Sequence, residues 1–166
     1  MHLLSSPQIA AKITRLAMEI LERNTEEREL YVLGINNRGM ELARRLTAGL
    51  RELSEAPLHL HNLRIDPRSP LDPPARIEGL DAATLADKPV LLVDDVANTG
   101  RTLFYALGVL QNVLPTKIEV AVLVDRQHKS WPVYVTYSGM ELTTTLGDNI
   151  LLHFAEERAE DYVELV

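Results

Sequence analysis

The sequence predicts an α/β protein with a mainly parallel central sheet and helices on both faces. Short apolar segments typical of strands alternate with longer segments whose apolar residues recur at helical spacing. Polar turns follow three of the predicted strands, which is where parallel sheets bind their ligands. The chain has 166 residues, 46% of them hydrophobic and 25% charged, so we expect one globular domain with a substantial core.

A first helix is predicted near the N-terminus. Ser5 or Ser6 can cap it, and Pro7 suits its first turn because that position needs no backbone N–H. Its apolar face consists of Ile9, Ile13, Leu16 and Ile20. The polar sequence Glu22-Arg23-Asn24 is expected to end this helix.

A strand, a polar turn, a helix and a second strand follow. Residues 30–35 are apolar and predict a buried strand, and residues 36–39 predict a turn after it. The helix is marked by Leu42, Ala43, Leu46 and Leu50. In residues 57–63 leucines alternate with His59 and His61, which predicts a strand with one polar face. Without a third ligand nearby, the two histidines favour that interpretation over a metal site.

Residues 64–89 interrupt the alternation of strands and helices. Four of the nine prolines fall within eight residues: Pro67, Pro70, Pro73 and Pro74. Because proline lacks a backbone N–H and blocks regular structure, we predict a loop or lid here, with a short strand near residues 75–77.

Residues 90–102 carry the most informative motif of the chain. Residues 90–93 are apolar and predict a strand buried on both faces, and the acids Asp94 and Asp95 stand where it is expected to end. Asn98-Thr99-Gly100 predicts a tight turn. A helical pattern then carries one apolar stripe: Leu103, Ala106, Leu107, Leu110 and Leu114.

This order of strand, acid pair, glycine turn and helix predicts an anion site. Backbone N–H groups of the turn and the helix N-terminus suit a phosphate, whereas the two carboxylates suit hydroxyls or a metal-bound ligand. A ribose 5-phosphate combines both features. The alternative is an ordinary turn with solvated acids, but adjacent acids at the end of a buried strand are an unusual choice for structure alone.

The rest of the chain is predicted to complete the sheet. Residues 118–124 are apolar and β-branched, which predicts another buried strand, and residues 125–129 predict a polar turn after it. Residues 138–147 are predicted as a loop, and the acids between positions 156 and 164 as a solvated tail. Further strands are predicted at residues 133–137, at residues 149–154 and, on a sheet edge, at residues 162–166.

The three polar turns are expected to meet. They lie at residues 36–39, 94–102 and 125–129. If the strands that precede them are parallel neighbours, the turns converge on one cleft at the carboxyl edge of the sheet. Folding alone does not require such a convergence, which indicates a composite binding site.

Composition narrows the classes of function. The chain has no cysteine, so neither a disulfide framework nor thiolate catalysis is expected. No apolar run approaches the roughly 20 residues that span a bilayer, and the N-terminus lacks the features of a signal peptide, so a cytoplasmic protein is expected. The net charge of −7 disfavours nonspecific binding of nucleic acid.

Residues 90–102 closely resemble the phosphoribosyl-pyrophosphate (PRPP) motif of type I phosphoribosyltransferases. The shared features are the two acids, the turn ending in Thr-Gly, and the Arg-Thr that follows. Over most of its length the chain is also similar to the pyrimidine operon regulators that are uracil phosphoribosyltransferases. The matching positions outside the motif are Ile13-Thr14-Arg15-Leu16, Glu19-Ile20-Leu21-Glu22-Arg23-Asn24, Gly34-Ile35, Arg38-Gly39, Asp125-Arg126, His128, Pro132, Tyr137 and Gly139.

The resemblance implies a type I phosphoribosyltransferase fold in one domain, residues 1–166, with a flexible loop at residues 64–89 and a small hood at residues 125–148. It implies that uracil and PRPP react to give UMP and pyrophosphate. Magnesium is expected to bind through the pyrophosphate, without a metal site made of protein ligands alone. The implied partners are PRPP and a nucleobase or nucleoside monophosphate, and the implied assembly is a homodimer or a larger homo-oligomer.

The resemblance also assigns roles to individual residues. Three are implied to be catalytic: Arg38, Asp94 and Asp95. The implied PRPP-binding residues are Asn36, Asn37, Arg38, Gly39, Asp94, Asp95, Val96, Ala97, Asn98, Thr99, Gly100, Arg101 and Thr102. Asp125 and Arg126 are implied to face the base, with a surface ion pair as the alternative. A strained cis peptide is expected at Asn36–Asn37, with a left-handed asparagine turn that caps a helix as the alternative.

A departure from the family pattern in the loop, and the residue at position 98, bear on function. The loop carries Arg64-Ile65-Asp66 where the family has Tyr-Arg-Asp-Asp, which leaves Arg64 or Arg68 to reach the pyrophosphate. Asn98 stands where purine-salvage enzymes carry an acid, and because an amide cannot act as a base this favours a pyrimidine. The alternative functions are a non-catalytic PRPP- or nucleotide-binding protein and a pyrimidine-responsive RNA-binding transcriptional regulator, which the net charge does not favour.

Overall fold

The computed structural model describes residues 1–145, 147–155 and 160–166. Their elements are β1 (His2–Leu4), α1 (Ser6–Arg23), β2 (Leu30–Ile35), α2 (Asn36–Leu53), β3 (Leu58–Arg64), β4 (Arg76–Ile77), β5 (Pro89–Ala97), α3 (Arg101–Ala106), β6 (Lys117–Arg126), β7 (Tyr137–Leu142), β8 (Ile150–His153) and β9 (Tyr162–Leu165). Six strands form the central sheet in the order β4-β3-β2-β5-β6-β7. Only β4, paired with β3, runs antiparallel to its neighbour. The predicted mainly parallel sheet is confirmed for the described residues.

The central strand β5 is buried on both faces, as its apolar run predicts. Leu91 and Val93 belong to the core cluster that contains residues of α1 and α2. Val90 and Leu92 belong to the cluster on the opposite face, which contains residues of α3. Helices therefore cover both faces of the sheet, and the predicted fold class is confirmed.

The acid pair lies inside β5 and does not follow it. The strand continues to Ala97, and its pairing with β6 extends to Asp125, which lies opposite Ala97. Backbone hydrogen bonds between strands do not depend on side-chain polarity. The change from apolar to acidic residues after Val93 therefore does not end the strand. Asp94 and Asp95 are consequently held on a rigid element.

Both long helices are present close to their predicted positions. Ser5 caps α1, where its backbone N–H donates to Oε1 of Gln8 at 2.9 Å. The predicted apolar face of α1 is buried: Ile9, Ile13, Leu16 and Ile20. Helix α2 begins at Asn36, so residues 36–39 form its first turn in place of the predicted separate turn. In the described ranges no helix is both long and apolar enough to cross a membrane.

The strand β7 lies later in the chain than predicted. It replaces both the strand expected at residues 133–137 and the start of the loop expected at residues 138–147. A Cβ atom at Gly139 would lie 2.6 Å from the carbonyl oxygen of Leu123, so glycine allows β7 to lie close to β6. Part of residues 125–148, the predicted hood, thus belongs to the central sheet, while the division of the chain into domain, loop and hood stays a prediction.

The helix after the motif is shorter than its apolar stripe predicts. Helix α3 is followed by a 3₁₀ turn at Leu107–Leu110, and Leu114 is 80% exposed. Pro115 follows Leu114, and a residue before proline avoids helical geometry. The stripe is therefore buried only as far as Leu110.

The second sheet joins the two ends of the chain. It has the order β1-β9-β8, so the predicted last strand is confirmed but lies at the centre of this sheet and not at an edge. The short strand β1 had no signal in the sequence pattern. Asp161 pairs with Arg45 of α2, so the predicted acidic tail is not simply solvated. Glu156 and Glu157 lie outside the described residues.

The polar face of β3 is confirmed. The ring of His59 stacks on Tyr31, with 4.3 Å between ring centroids, and its Nε2 lies 2.9 Å from Oε2 of Glu29. Nδ1 of His61 lies 3.3 Å from the backbone oxygen of Glu78. His59 is thus held by β2 and the residue before it, and His61 by the segment that follows β4.

Residues 64–89 are more ordered than a simple loop. The short strand predicted near residues 75–77 is confirmed as β4, and a 3₁₀ turn spans Ala82–Leu85. Leu85 is fully buried in the same core cluster as Leu92. This side chain anchors the end of the segment to the face of the sheet that α3 covers.

We expect Leu85→Ala to lower the free energy of unfolding by about 2–5 kcal/mol, because it leaves a cavity in a packed core. Leu71→Ala is the matched control in the same segment, since Leu71 is 71% exposed and its truncation is expected to change stability by less than about 0.5 kcal/mol. Urea denaturation measures both. Equal effects of the two substitutions would contradict the anchoring of this segment by Leu85.

Candidate active site

The carboxyl ends of β2 and β5 open onto a cleft of about 420 Å³. The two strands are parallel neighbours, so the segments that follow them lie side by side. The cleft is lined by Ile35, Asn36, Asn37, Arg38, Arg64, Pro67, Asp94, Asp95, Val96, Asn98, Thr102, Ile150 and Leu151. Two of the three predicted turns therefore meet here. Within the described chain, residues 125–129 are not part of this lining.

The segment after β2 begins with a left-handed residue. Asn36 has a φ of +51°, and Asn36–Asn37 is a trans peptide, so the predicted cis bond is wrong. The alternative is correct in its left-handed conformation but not in its capping role, because the N-cap of α2 is Ile35. The Asn36 side chain donates to the backbone oxygen of Ile65 at 2.9 Å and accepts from its backbone nitrogen at 3.1 Å. Asn36 thereby ties the end of β2 to the segment that follows β3.

The first turn of α2 lies directly on the end of β5. A Cβ atom at Gly39 would lie 2.7 Å from the carbonyl oxygen of Val93 and 3.2 Å from both Cα and Oδ1 of Asp94. Only glycine allows the two segments to approach this closely without a shift of backbone. The contact fixes Arg38 and the acid pair in relation to each other.

Asp94 and Asp95 lie in different environments. Asp94 is buried and accepts a hydrogen bond at its Oδ1 from the backbone N–H of Asp95 at 2.9 Å. Burial, and then the negative charge of Asp95, hold the pKa of Asp94 well above its usual range, while Arg38 opposes this shift. Nη1 of Arg38 lies 4.0 Å from Oδ2 of Asp95. The site thus has unbalanced negative charge that a cationic group or a metal-bound ligand would stabilise.

Asp94→Asn is expected to raise the free energy of unfolding at pH 7, because it removes a buried charge, although it also removes a contact assigned to the substrate. Because the folded-state pKa is raised, the stabilising contribution of Asp94 is complete only below the ordinary aspartate pKa and is lost as the pH rises through the folded value. Asparagine does not titrate and can still accept from Asp95. The gain in the free energy of unfolding is therefore expected to become smaller as the pH is lowered.

Urea denaturation at several pH values measures this difference between Asp94→Asn and the unsubstituted protein. Asp72→Asn is the control, because it makes the same chemical change at an exposed side chain outside the lining of the cleft. A loss of stability at pH 7, or a gain that does not depend on pH, would contradict the description of Asp94 as a buried and costly charge.

A smaller pocket of about 60 Å³ lies at the turn after β5, lined by Asp94 and residues 96–103. Gly100 has a φ of +83° and forms the N-cap of α3, and glycine adopts this left-handed conformation without strain. The carbonyl oxygen of Thr99 accepts from the backbone N–H groups of Ser130 at 2.9 Å and Trp131 at 3.1 Å. The segment after β6 therefore supports the turn from outside.

The predicted base-binding pair lies beside the small pocket but outside its lining. Asp125 pairs with Lys129, and Arg126 is buried with its guanidinium donating to the backbone oxygen of Thr145. Among the described residues, neither lines the cleft or the small pocket. Their role toward a base stays a prediction, and Asp125 remains adjacent to the site through its pairing with Ala97.

Some cleft residues had no signal in the sequence. Ile150 and Leu151 form one wall of the cleft, although β8 belongs to the second sheet. Their sequence predicts only an apolar strand, and the contact between sheets depends on tertiary packing. Of the two candidate loop arginines, Arg64 lines the cleft and Arg68 is absent from its lining within the described residues.

The carboxylates of Asp94 and Asp95 fit a magnesium ion whose other oxygen ligands come from a bound phosphorylated molecule and from water. In the residues that the structure describes, no group of three or more His, Cys, Asp and Glu side chains could hold a metal ion. Asp94 and Asp95 supply carboxylate oxygens, which magnesium accepts together with phosphate oxygens and water. This donor set agrees with a metal that binds as a complex with a phosphorylated substrate.

Known proteins resemble the chain in sequence and in fold. A family model of the phosphoribosyl transferase domain matches residues 2–159. The bifunctional protein PyrR of Deinococcus radiodurans is 38% identical over 169 residues, covering 98% of this chain and 92% of that protein. The protein of the same name from Streptomyces coelicolor is 37% identical, covering 98% of this chain and 87% of its own length.

A solved structure supports the fold independently. The hypoxanthine phosphoribosyltransferase of Trypanosoma cruzi superposes with a TM-score of 0.75 at 16% identity, over 98% of this chain and 94% of that chain. At this identity the likeness concerns the fold alone. The family match and the relatives of nearly full length together show that the chain belongs to the phosphoribosyltransferases, enzymes that transfer a pentosyl group, and lies among the relatives named bifunctional protein PyrR.

Proposed function

We propose that the protein transfers ribose 5-phosphate from PRPP to uracil and releases pyrophosphate. The observation that carries this proposal is the position of the small pocket, which shares Asp94 with the cleft beside it. A phosphate in the small pocket places an attached ribose at the acid pair. The rest of the cleft, whose whole volume is about 420 Å³, then accommodates the pyrophosphate and the base.

The phosphate end of PRPP is assigned to the turn after β5. The turn offers backbone N–H groups, and Thr99 and Thr102 add hydroxyl donors. Asp94 and Asp95 accept hydrogen bonds from ribose hydroxyls. The pyrophosphate is assigned to the first turn of α2, where Arg38 supplies a positive charge.

The reaction breaks the bond between the anomeric carbon and pyrophosphate, and the electron pair leaves with pyrophosphate. The ring nitrogen of uracil forms the new bond and gives up its proton to water or to the departing pyrophosphate. As positive charge develops on the ribose, the carboxylates of Asp94 and Asp95 stabilise it from a rigid strand. Asp94 and Asp95 would hold magnesium together with the pyrophosphate, and the ion would supply positive charge that stabilises the departing anion.

The base is assigned to the side of the cleft near the end of β6. Asp125 lies opposite Ala97 in the pairing of β6 with β5. The next residue after Ala97 is Asn98, and Asn98 lines both the cleft and the small pocket. The amide of Asn98 cannot accept a proton, which agrees with a pyrimidine substrate and not with a mechanism that needs a base at this position. Magnesium dependence, a homodimer and a cytoplasmic location remain part of this proposal.

Pyrophosphate release with PRPP, magnesium and a panel of bases tests the proposed function. We expect turnover with uracil above that with cytosine, hypoxanthine and guanine. No turnover with any base would refute the proposal.

A second candidate function is PRPP binding without turnover. It is favoured by the segment after β3, which departs from the family's lid sequence and is tied to the end of β2 through Asn36 and Ile65. Calorimetric binding of PRPP by a protein that turns over no base would support this second function.

A further inference from the structure

Residues 129–133, which we call the strap, lie against the outer side of the turn after β5. The carbonyl oxygen of Thr99 in this turn accepts from the backbone N–H groups of Ser130 and Trp131, at 2.9 and 3.1 Å. A Cβ atom at Gly100 would lie 3.3 Å from the carbonyl oxygen of Trp131, so the turn and the strap pack closely. Within the described chain, no strap residue lines the small pocket. The turn therefore separates the strap from the small pocket.

The two hydrogen bonds to Thr99 fix the direction of a peptide group. Thr99–Gly100 is a trans peptide, and in a planar trans peptide the C=O and N–H bonds point in opposite directions. Because the C=O of Thr99 points at the strap, the N–H of Gly100 points away from it, toward the small pocket that Gly100 lines. In the part of the chain that the structure describes, this N–H donates to no other residue. It is therefore available to bind an anion in the pocket.

Trp131 attaches the strap to both the turn and α3. Its backbone N–H bonds to the turn, and its ring lies beside Arg101, the first residue of α3, with 5.9 Å between Cζ of Arg101 and the ring centroid. At about 6 Å a cation is attracted to the face of an aromatic ring. The carbonyl oxygen of Trp131 accepts from the backbone N–H of Val133 at 2.9 Å, which forms a tight turn within the strap. Loss of the indole ring would release the strap from α3 and loosen its hold on Thr99.

We propose that Trp131 is a positioning residue for phosphate binding, because it holds the Thr99–Gly100 peptide with the N–H of Gly100 directed at the 5-phosphate of PRPP. This inference rests on the proposed function and adds to it a residue that itself touches no substrate. The phosphate is remote from the bond that breaks, so it is expected to bind equally in the ground state and in the transition state. Loosening the strap is therefore expected to raise KM for PRPP and to leave kcat unchanged.

The test measures KM and kcat with PRPP, and the binding of UMP and of uridine by calorimetry, in Trp131→Ala. We expect UMP binding to weaken and KM for PRPP to rise by about five- to ten-fold, because a hydrogen bond and a cation–π contact are loosened. We expect kcat to stay within about two-fold of its original value. Uridine binding is expected to be unchanged, because uridine has the base and the ribose of UMP but no phosphate.

Three further variants test the contribution of the aromatic ring of Trp131. Trp131→Phe retains a ring beside Arg101 and is expected to recover most of the UMP affinity, whereas Trp131→Leu has no ring and is expected to behave like Trp131→Ala. Tyr134→Ala is the matched control, because it removes an aromatic side chain that is 77% exposed directly after the strap. It is expected to leave both KM and the UMP affinity unchanged.

An unchanged UMP affinity in Trp131→Ala, an equal loss for UMP and uridine, or a fall in kcat without a rise in KM would overturn this inference while the proposed function stands. If the unsubstituted protein binds neither PRPP nor UMP, the proposed function itself fails. Melting temperatures identify any variant that loses affinity because it does not fold. If Trp131→Ala is such a variant, Trp131→Leu takes its place in the comparison of UMP with uridine.

Discussion

Asp95→Asn is expected to lower kcat/KM by about 100- to 1,000-fold while the melting temperature stays within a few degrees. Asp95 is held on β5 at the floor of the cleft, and Arg38 lies 4.0 Å from its Oδ2. Replacing the carboxylate by an amide of the same shape removes the charge that stabilises the cationic ribose. The fold has little need of this charge, because its ion pair with Arg38 is long and the arginine is mostly exposed.

Steady-state kinetics measure kcat/KM of the Asp95 variant, and thermal denaturation measures its melting temperature. Asp72→Asn is the matched control, since it makes the same chemical change at an exposed side chain outside the lining of the cleft. A variant at Asp95 that keeps its turnover would show that the acid pair is not catalytic. One that loses activity only in proportion to folded protein would assign Asp95 to structure.

Gly39→Ala is expected to lower kcat/KM by at least about ten-fold and to destabilise the fold by about 1–3 kcal/mol. The new methyl group would lie 2.7 Å from the carbonyl oxygen of Val93, so either α2 or the end of β5 must move. Such a movement separates Arg38 from the acid pair. Both effects therefore follow from one steric contact.

Gly108→Ala provides the control for Gly39→Ala, because a Cβ atom at Gly108 meets nothing within 4 Å. It is expected to leave turnover unchanged and to alter stability slightly, as alanine favours helical structure over glycine. Kinetics and urea denaturation compare the two variants. Full activity in Gly39→Ala would contradict the close packing of the first turn of α2 on β5.

The motif and the sheet were predictable because strong local signals specify them. The apolar run before Asp94 predicts β5, the turn at Gly100 separates β5 from α3, and parallel strands bring their carboxyl ends together. The cleft between β2 and β5 follows from this rule. The same signals do not reveal how far a strand continues into polar residues, which is why Asp94 and Asp95 were placed after β5.

Other features depend on contacts between distant segments. Ile150 reaches the cleft from the second sheet, and Asn36 adopts its left-handed conformation while bonded to Ile65. The position of β7 depends on the close approach of Gly139 to Leu123. Local propensity carries no information on such pairs, so the sequence pattern alone placed β7 too early. The cis bond after Asn36 was implied by the family resemblance, and this bond is trans in the structure.

The structure of a complex with UMP tests the central claim most directly. We predict that the 5′-phosphate lies in the small pocket against the backbone N–H groups of residues 97–102, with the ribose hydroxyls within hydrogen-bond distance of Asp94 and Asp95. A phosphate bound elsewhere, or a ribose turned away from the acid pair, would contradict the assignment of this pocket and cleft to a phosphoribosyl group.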